Sequence, residues 1–254
     1  MRILIVNPNT TASMTAKLRE AARKAAASGT EIFAVNPAFG PVSIEGYYDE
    51  AFATPGMLEE IAKRPEMDAY VIGCFDDTGL DAARSLARGP VVGIGEAAFH
   101  MASLIAGKFS VVTTLSRSIP PIEHNLARYG LISRCARVRA CEVAVLDLED
   151  PRLPARAKLS AEIGRAIAQD GCEAIVLGCA GMADLAEALS AEHDLPVVDG
   201  AASAVKLCEG LHALGLKTSK RGGYAPPLAK PYAGEFARFA TSAAKPAARA
   251  RKRG

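Results

Sequence analysis

The chain has 254 residues, half of them hydrophobic and 23% charged, with no tryptophan; this suits a globular protein with a sizeable core and excludes a collagen-like or low-complexity chain. No apolar run approaches the ~20 residues that span a bilayer, and the first apolar stretch is too short for a signal peptide, so a cytoplasmic protein with no membrane partner is expected. The net charge of +2 is uneven, because residues 245–254 hold five basic residues and no acid; this predicts a disordered, solubilising basic tail over 241–254 and no nucleic-acid surface elsewhere.

Residues 2–6 read as a short buried strand. The turn Asn7-Pro8-Asn9-Thr10-Thr11 follows, then a helix over 14–27 with Thr11 or Ser13 as N-cap and Gly29 as its stop. A strand is expected at 31–35, a Gly/Pro-punctuated loop at 37–48 containing Ser43-Ile44-Glu45-Gly46, and a helix over 49–63 broken near Pro55-Gly56. Next come a strand over 69–73, a helix over 80–86, a strand over 91–94 and an apolar helix over 96–106. The pattern then restarts with a strand at 109–113, a helix at 122–128, a strand at 141–148 and a helix at 155–168. A strand at 174–178, a helix at 182–190, the pair Val197-Val198 and a helix at 201–214 complete it. A polar loop over 217–227 and a short helix over 234–243 precede the tail. Strands alternating with amphipathic helices imply parallel sheets covered by helices, an α/β fold.

The restart has the form of an internal repeat. Val71-Ile72-Gly73-Cys74 returns as Val176-Leu177-Gly178-Cys179, 105 residues later; Pro90-Val91-Val92 returns as Pro196-Val197-Val198, and Ile5 to Asn9 overlies Ser110 to Thr114 at the same offset of 105. Two pseudo-symmetric Rossmann-like halves with a cleft between them are therefore expected. Residues 1–107 and 196–240 form the half carrying Cys74, and 108–195 the half carrying Cys179. Ligands of such sheets bind at the carboxyl ends of the strands, which brings Asn9, Cys74, Thr114 and Cys179 to one rim.

Two thiols presented alike by two similar halves suit one chemistry: removal of a proton from one face of a carbon and its return on the other. The six cysteines contain no C-x-x-C pair, and the four histidines are not at metal-ligand spacing from them, so neither disulfides nor a metal site are expected. Cys135, Cys141, Cys172 and Cys208 read as small buried hydrophobes. Cys74 and Cys179 each end a strand, follow a glycine and precede an expected helix start, where backbone N–H groups favour a thiolate. Asn9 and Thr114 offer uncharged hydrogen-bonding groups to a small polar ligand, Ser43 sits in a candidate cleft wall, and Asp76 and Asp77 read as helix caps. No dinucleotide fingerprint or P-loop is present, so chemistry without a cofactor is the economical reading.

Taken as a set, Asn7-Pro8-Asn9-Thr10, Ser43-Ile44-Glu45-Gly46, Cys74-Phe75, Val111-Val112-Thr113-Thr114-Leu115, Val176 to Met182 and Gly215 to Lys220 resemble the hydantoin and allantoin racemases of the aspartate/glutamate racemase superfamily. The resemblance runs over about 2–239. It implies a pseudo-symmetric fold, no cofactor, a homo-oligomer, a cyclic ureide substrate and a two-base reaction by Cys74 and Cys179. In that picture Asn9, Ser43, Thr114 and Gly181 bind the ring, with the backbone N–H groups of Phe75 and Ala180 at its carbonyls. One departure stands out. The family usually carries Gly-Asp-Pro-Gly after the first Cys-Phe, and this chain has Asp76-Asp77-Thr78-Gly79, which adds a negative charge near Cys74. The alternatives from the residues are an aspartate or glutamate racemase, a decarboxylase or isomerase of the same fold, and a non-catalytic binding protein.

Overall fold

The computed structural model describes residues 1–150 and 152–241. The predicted basic tail lies outside the described residues beyond Thr241. Two four-stranded parallel sheets carry the fold. In the first, β1 (Arg2–Val6), β2 (Glu31–Val35), β3 (Ala69–Ile72) and β4 (Val91–Gly93) lie in the order β2-β1-β3-β4. In the second, β5 (Phe109–Thr113), β6 (Cys135–Ala140), β7 (Ala174–Leu177) and β8 (Val197–Val198) lie in the order β6-β5-β7-β8. The same order in both sheets is the structural form of the repeat.

The helices are α1 (Ala12–Ala25), α2 (Tyr47–Ala62), α3 (Leu80–Leu86), α4 (Ile94–Ile105), α5 (Ile119–Arg128), α6 (Ala155–Asp170), α7 (Ala186–His193) and α8 (Gly200–Ala213). Alternation along the strands divides the core. Ile3, Ile5 and Val71 of the first sheet share one buried cluster with Val111 and Val176 of the second, together with Phe99 of α4 and Val205 of α8. The opposite strand faces pack outward: Leu4, Val6 and Tyr70 meet Met57 and Ile61 of α2, and Ile175 and Leu177 meet Leu159 and Ile163 of α6. Residues buried on both strand faces explain why these segments read as continuous apolar runs. Among the described residues, no helix is long and apolar enough to cross a membrane.

Several sequence expectations are corrected. The strand expected at 141–148 is β6 at Cys135–Ala140, and the later stretch forms a loop with a 3-10 turn at Leu146–Glu149. Arg139 disguised β6: its guanidinium is buried, and ion pairs to Glu162 (3.1 Å) and Asp170 (2.5 Å) satisfy it there. Strand β8, grouped from sequence with the first half, pairs with β7 in the second sheet; α8 then crosses back to pack on α1, α4, β3 and β4. Helix α2 runs through Pro55 without a break. Ser13 lies inside α1, whose N-cap is Thr11. The short helix expected over 234–243 is a 3-10 turn at Gly234–Phe239. The equivalence of β1 and β5 also shifts by one residue: Gly73 N donates to Val6 O and Gly178 N to Val112 O, both at 2.8 Å. Asn7 thus corresponds to Thr113, an offset of 106 and not 105.

Candidate active site

The site grows from two matching strand exits. Past β3 and β7 the chain passes through Gly73 and Gly178, where there is no room for a side chain. A Cβ on Gly73 would stand 2.7 Å from Leu18 Cδ1, and one on Gly178 would stand 2.7 Å from Thr113 Cβ. Each following cysteine starts a tight turn, closed by Asp77 N to Cys74 O (3.0 Å) and by Met182 N to Cys179 O (3.1 Å). Beyond this the loops diverge. Cys179 is the N-cap of a 3-10 helix at Ala180–Leu185, whereas Cys74 is followed by a turn, with α3 starting only at Leu80. The expected helix start directly after Cys74 is therefore absent.

Both cysteines line one cavity of about 50 Å³ between the two sheets. A single water needs about 10–15 Å³ by this measure, so the space suits a small ring. Asn9, Phe75, Thr114, Ala180 and Gly181 reach it as expected, and Ser43 does not; Ile44 and Gly46 of the same loop line it instead. Asn7, Asp76, Thr113 and Val145 line it too. The correct repeat register would have pointed to Asn7 and Thr113. Among the described residues, no Lys, Arg or His lines the cavity, and no group of three or more His, Cys, Asp or Glu side chains is arranged to hold a metal ion.

The polar wall is already knitted together. Asn7 Nδ2 donates to Asn9 Oδ1 (2.8 Å), which also accepts from Thr11 N (2.9 Å). Thr113 Oγ1 donates to Gly178 O (2.9 Å), locking β5 to the second cysteine loop. The 37–46 loop reaches across to the other half, where Glu45 Oε1 accepts from Val145 N (3.0 Å).

Asp77 caps a helix, though α4 and not α3. Its carboxylate accepts from Gly95 N (3.0 Å), Glu96 N (2.8 Å) and Tyr129 Oη (2.8 Å), while Asn125 Nδ2 donates to Asp76 O (2.6 Å). Tyr129 and Asn125 belong to α5 and its end, so these bonds brace the Cys74 loop against the second half. Phe75 adds an apolar brace: its ring packs edge-on to Phe99 at 5.3 Å.

The expectation of lowered thiol pKa values is reversed. Backbone N–H groups do face the sulfurs, from Asp76 toward Cys74 and from Gly181 toward Cys179, but burial outweighs them. Burial pushes the Cys179 thiol up to about 12. Burial, and then the Asp76 carboxyl, hold Cys74 well above the ordinary thiol value.

The family model described as Asp/Glu/Hydantoin racemase matches residues 3–208. The chain belongs to the Asp/Glu/hydantoin racemase family. Within it, the chain is 49% identical to the hydantoin racemase of Rhizobium meliloti, over 92% of this chain and 98% of that protein. It is 41% identical to the hydantoin racemase of Paenarthrobacter aurescens, over 91% of this chain and 100% of that one. Among solved structures, allantoin racemase from Klebsiella pneumoniae superposes with a TM-score of 0.92 at 49% identity, covering 94% of this chain and 99% of its own. Glutamate racemase from Francisella tularensis, at 15% identity and a TM-score of 0.63, shares the fold, covering 89% of this chain and 85% of its own.

Proposed function

We propose that this protein is a cofactor-independent racemase of 5-substituted hydantoins, allantoin included, with Cys74 and Cys179 as its two bases. The observation that carries the reading is the pair of thiols, each at the end of an equivalent strand, on one small cavity. The hydrogen on the ring stereocentre lies beside a carbonyl, so its loss leaves an enolate. One thiolate removes it and the opposite thiol delivers a proton to the other face. A single base cannot serve both faces of a held ring; one from each half can. The backbone N–H groups of Phe75 and Ala180 are the donors for the ring carbonyls and the developing oxyanion. Asn9, Thr114 and Gly181 hold the remaining edge.

The lining also bears on substrate class. An aspartate or glutamate brings charged groups to be compensated, and among the described residues the lining offers no Lys, Arg or His to pair with a carboxylate. A neutral ureide ring needs only the amides and hydroxyls present. The relatives named hydantoin racemase and allantoin racemase support the same class. Because burial raises both thiols, the thiolate is scarce at neutral pH, and kcat/KM is expected to climb as pH rises through the alkaline range. The test is the loss of optical activity of single-enantiomer 5-substituted hydantoins and of allantoin in D2O. Racemisation with deuterium entering the stereocentre is expected; inertness toward every ring would end the reading.

A further inference from the structure

The two thiol loops differ in what stands two places beyond the sulfur. After Cys179 it is Gly181; after Cys74 it is Asp76, and both line the cavity. Thr78 fixes the Asp76 carboxyl from one side: Oδ1 accepts from Thr78 Oγ1 (2.5 Å) and from Thr78 N (3.2 Å). Both bonds fall on Oδ1, and Oδ2 takes no part in them. Among the described residues, no Lys, Arg or His joins Asp76 in the lining. A second acid stands on α2, which meets the end of this loop: a Cβ on Gly79 would lie 2.9 Å from Thr54 Cγ2. There Glu50 N donates to O of the lining residue Gly46 (3.2 Å), and Glu50 Oε1 is buried and, among the described residues, meets no donor. A cation does stand outside. Arg117 is exposed and lies against Gly46, where a Cβ would be 3.5 Å from its Nε; water and salt screen it from the interior.

A carboxylate on a water-poor cavity without a cation is unfavourably placed, because burial opposes its charge and no counter-ion offsets it. Burial accordingly holds the Asp76 carboxyl above its ordinary value. Its charge also reaches both bases: after burial it is the next cause of the raised Cys74 thiol, and it adds to the rise at Cys179. A ligand that brings its own cation answers all three groups at once. The hydantoin ring is neutral, so the cation belongs on the substituent. Resting on the racemase reading above, we propose that Asp76 is a specificity-determining residue that selects hydantoins whose 5-substituent ends in an ammonium or guanidinium group. The cation donates to Asp76 Oδ2 in a charge-assisted hydrogen bond. It also offsets the negative charge near Cys74, so the thiolate forms more readily with substrate seated than in the empty cavity. A cavity of about 50 Å³ takes a ring with only a short arm. The selection is read as a ratio of kcat/KM between rings of equal size and different charge.

The experiment compares 5-(3-aminopropyl)hydantoin, its neutral counterpart 5-butylhydantoin and the acidic 5-(2-carboxyethyl)hydantoin at neutral pH, with the full chain as wild type and as Asp76→Asn. The wild type is expected to favour the amine over the butyl ring by about tenfold or more in kcat/KM, and to use the acid least. Asp76→Asn, which keeps an acceptor for Thr78, should bring the amine-to-butyl ratio to within about twofold of one. A wild type that racemises the butyl ring as well as the amine overturns the selection and leaves the racemase reading standing. So does an amine preference that survives in Asp76→Asn, or a preference for the acid, which would move the selection out to Arg117. Should Asp76→Asn lose all turnover, calorimetric binding decides: amine affinity falling about tenfold relative to the butyl ring is expected, and equal changes for the two rings overturn the proposal. A wild type inert on every hydantoin overturns the racemase reading and the selection together.

Discussion

Gly73-Cys74 and Gly178-Cys179 leave their strands by the same hydrogen bonds, yet the loop after Cys74 adds side-chain hydrogen bonds to its apolar Phe75 brace, while the loop after Cys179 is held by apolar packing. On the first side Thr78 is hydrogen-bonded to Asp76, and Asp77 to the start of α4 and to Tyr129. On the second side Met182 is buried among Leu177, Leu159 and Leu189, and Gly181 lies against Leu148. Backbone symmetry sets two sulfurs at one cavity; the side chains behind them make the two thiols unequal. A repeat therefore fixes where the chemistry happens, while its divergence sets how easily each group ionises.

The sharpest way to break this comparison is to remove each sulfur in turn. Cys74→Ser and Cys179→Ser should each lower racemisation by about 10³-fold, the range for loss of a positioned acid–base group; polarimetry that finds a large loss at only one position would end the two-base account. Next come the glycines. Gly178→Ala forces a Cβ to within 2.9 Å of Thr113 Cα, which is backbone, while Gly73→Ala meets the movable end of Leu18 at 2.7 Å. Thermal melts should show about 2–3 kcal/mol lost at 178 and about 1 kcal/mol at 73; equal losses would mean that the two exits are equally tight. Tyr129→Phe removes the bond to Asp77 that ties the first loop to the second half, at a cost of about 1–2 kcal/mol. Its effect on activity should exceed that of a comparable change near Cys179.

The smallest effect is in pH dependence. Burial, and then the nearby Asp76 charge, push the Glu50 carboxyl up from its ordinary 4.5 to about 8. The native chain thus holds a proton that the unfolded chain releases. The associated stability is fully present below about 4.5 and is lost as pH rises through about 8. Tm measured across that window should decline in the wild type and decline less steeply in Glu50→Gln, where the raised Asp77 carboxyl, at about 7, still contributes.

Much of this was legible in the sequence because the physics is local. An apolar run ended by Gly-Cys marks a buried strand meeting a sharp turn, and two such runs 105 residues apart reveal the repeat. What escaped depended on long-range partners. β6 hid behind Arg139, whose charges are answered by Glu162 and Asp170 on a helix some distance along the chain. Ser43 was chosen over Ile44 because polar residues look like binding groups, whereas the fold turns Ile44 and Gly46 into the cavity. The thiols' raised pKa values follow from burial, which no spacing of residues announces.

The core shared by both sheets has a consequence for how the molecule comes apart. With Ile3, Ile5 and Val71 packed into the same cluster as Phe109, Val111 and Val176, neither half owns the apolar face it buries. An isolated half would bare that face to water. Calorimetry should therefore record one heat-absorption peak with no intermediate shoulder. A chain cut in the turn between 107 and 108 should remain joined as a non-covalent pair, melting as a single unit.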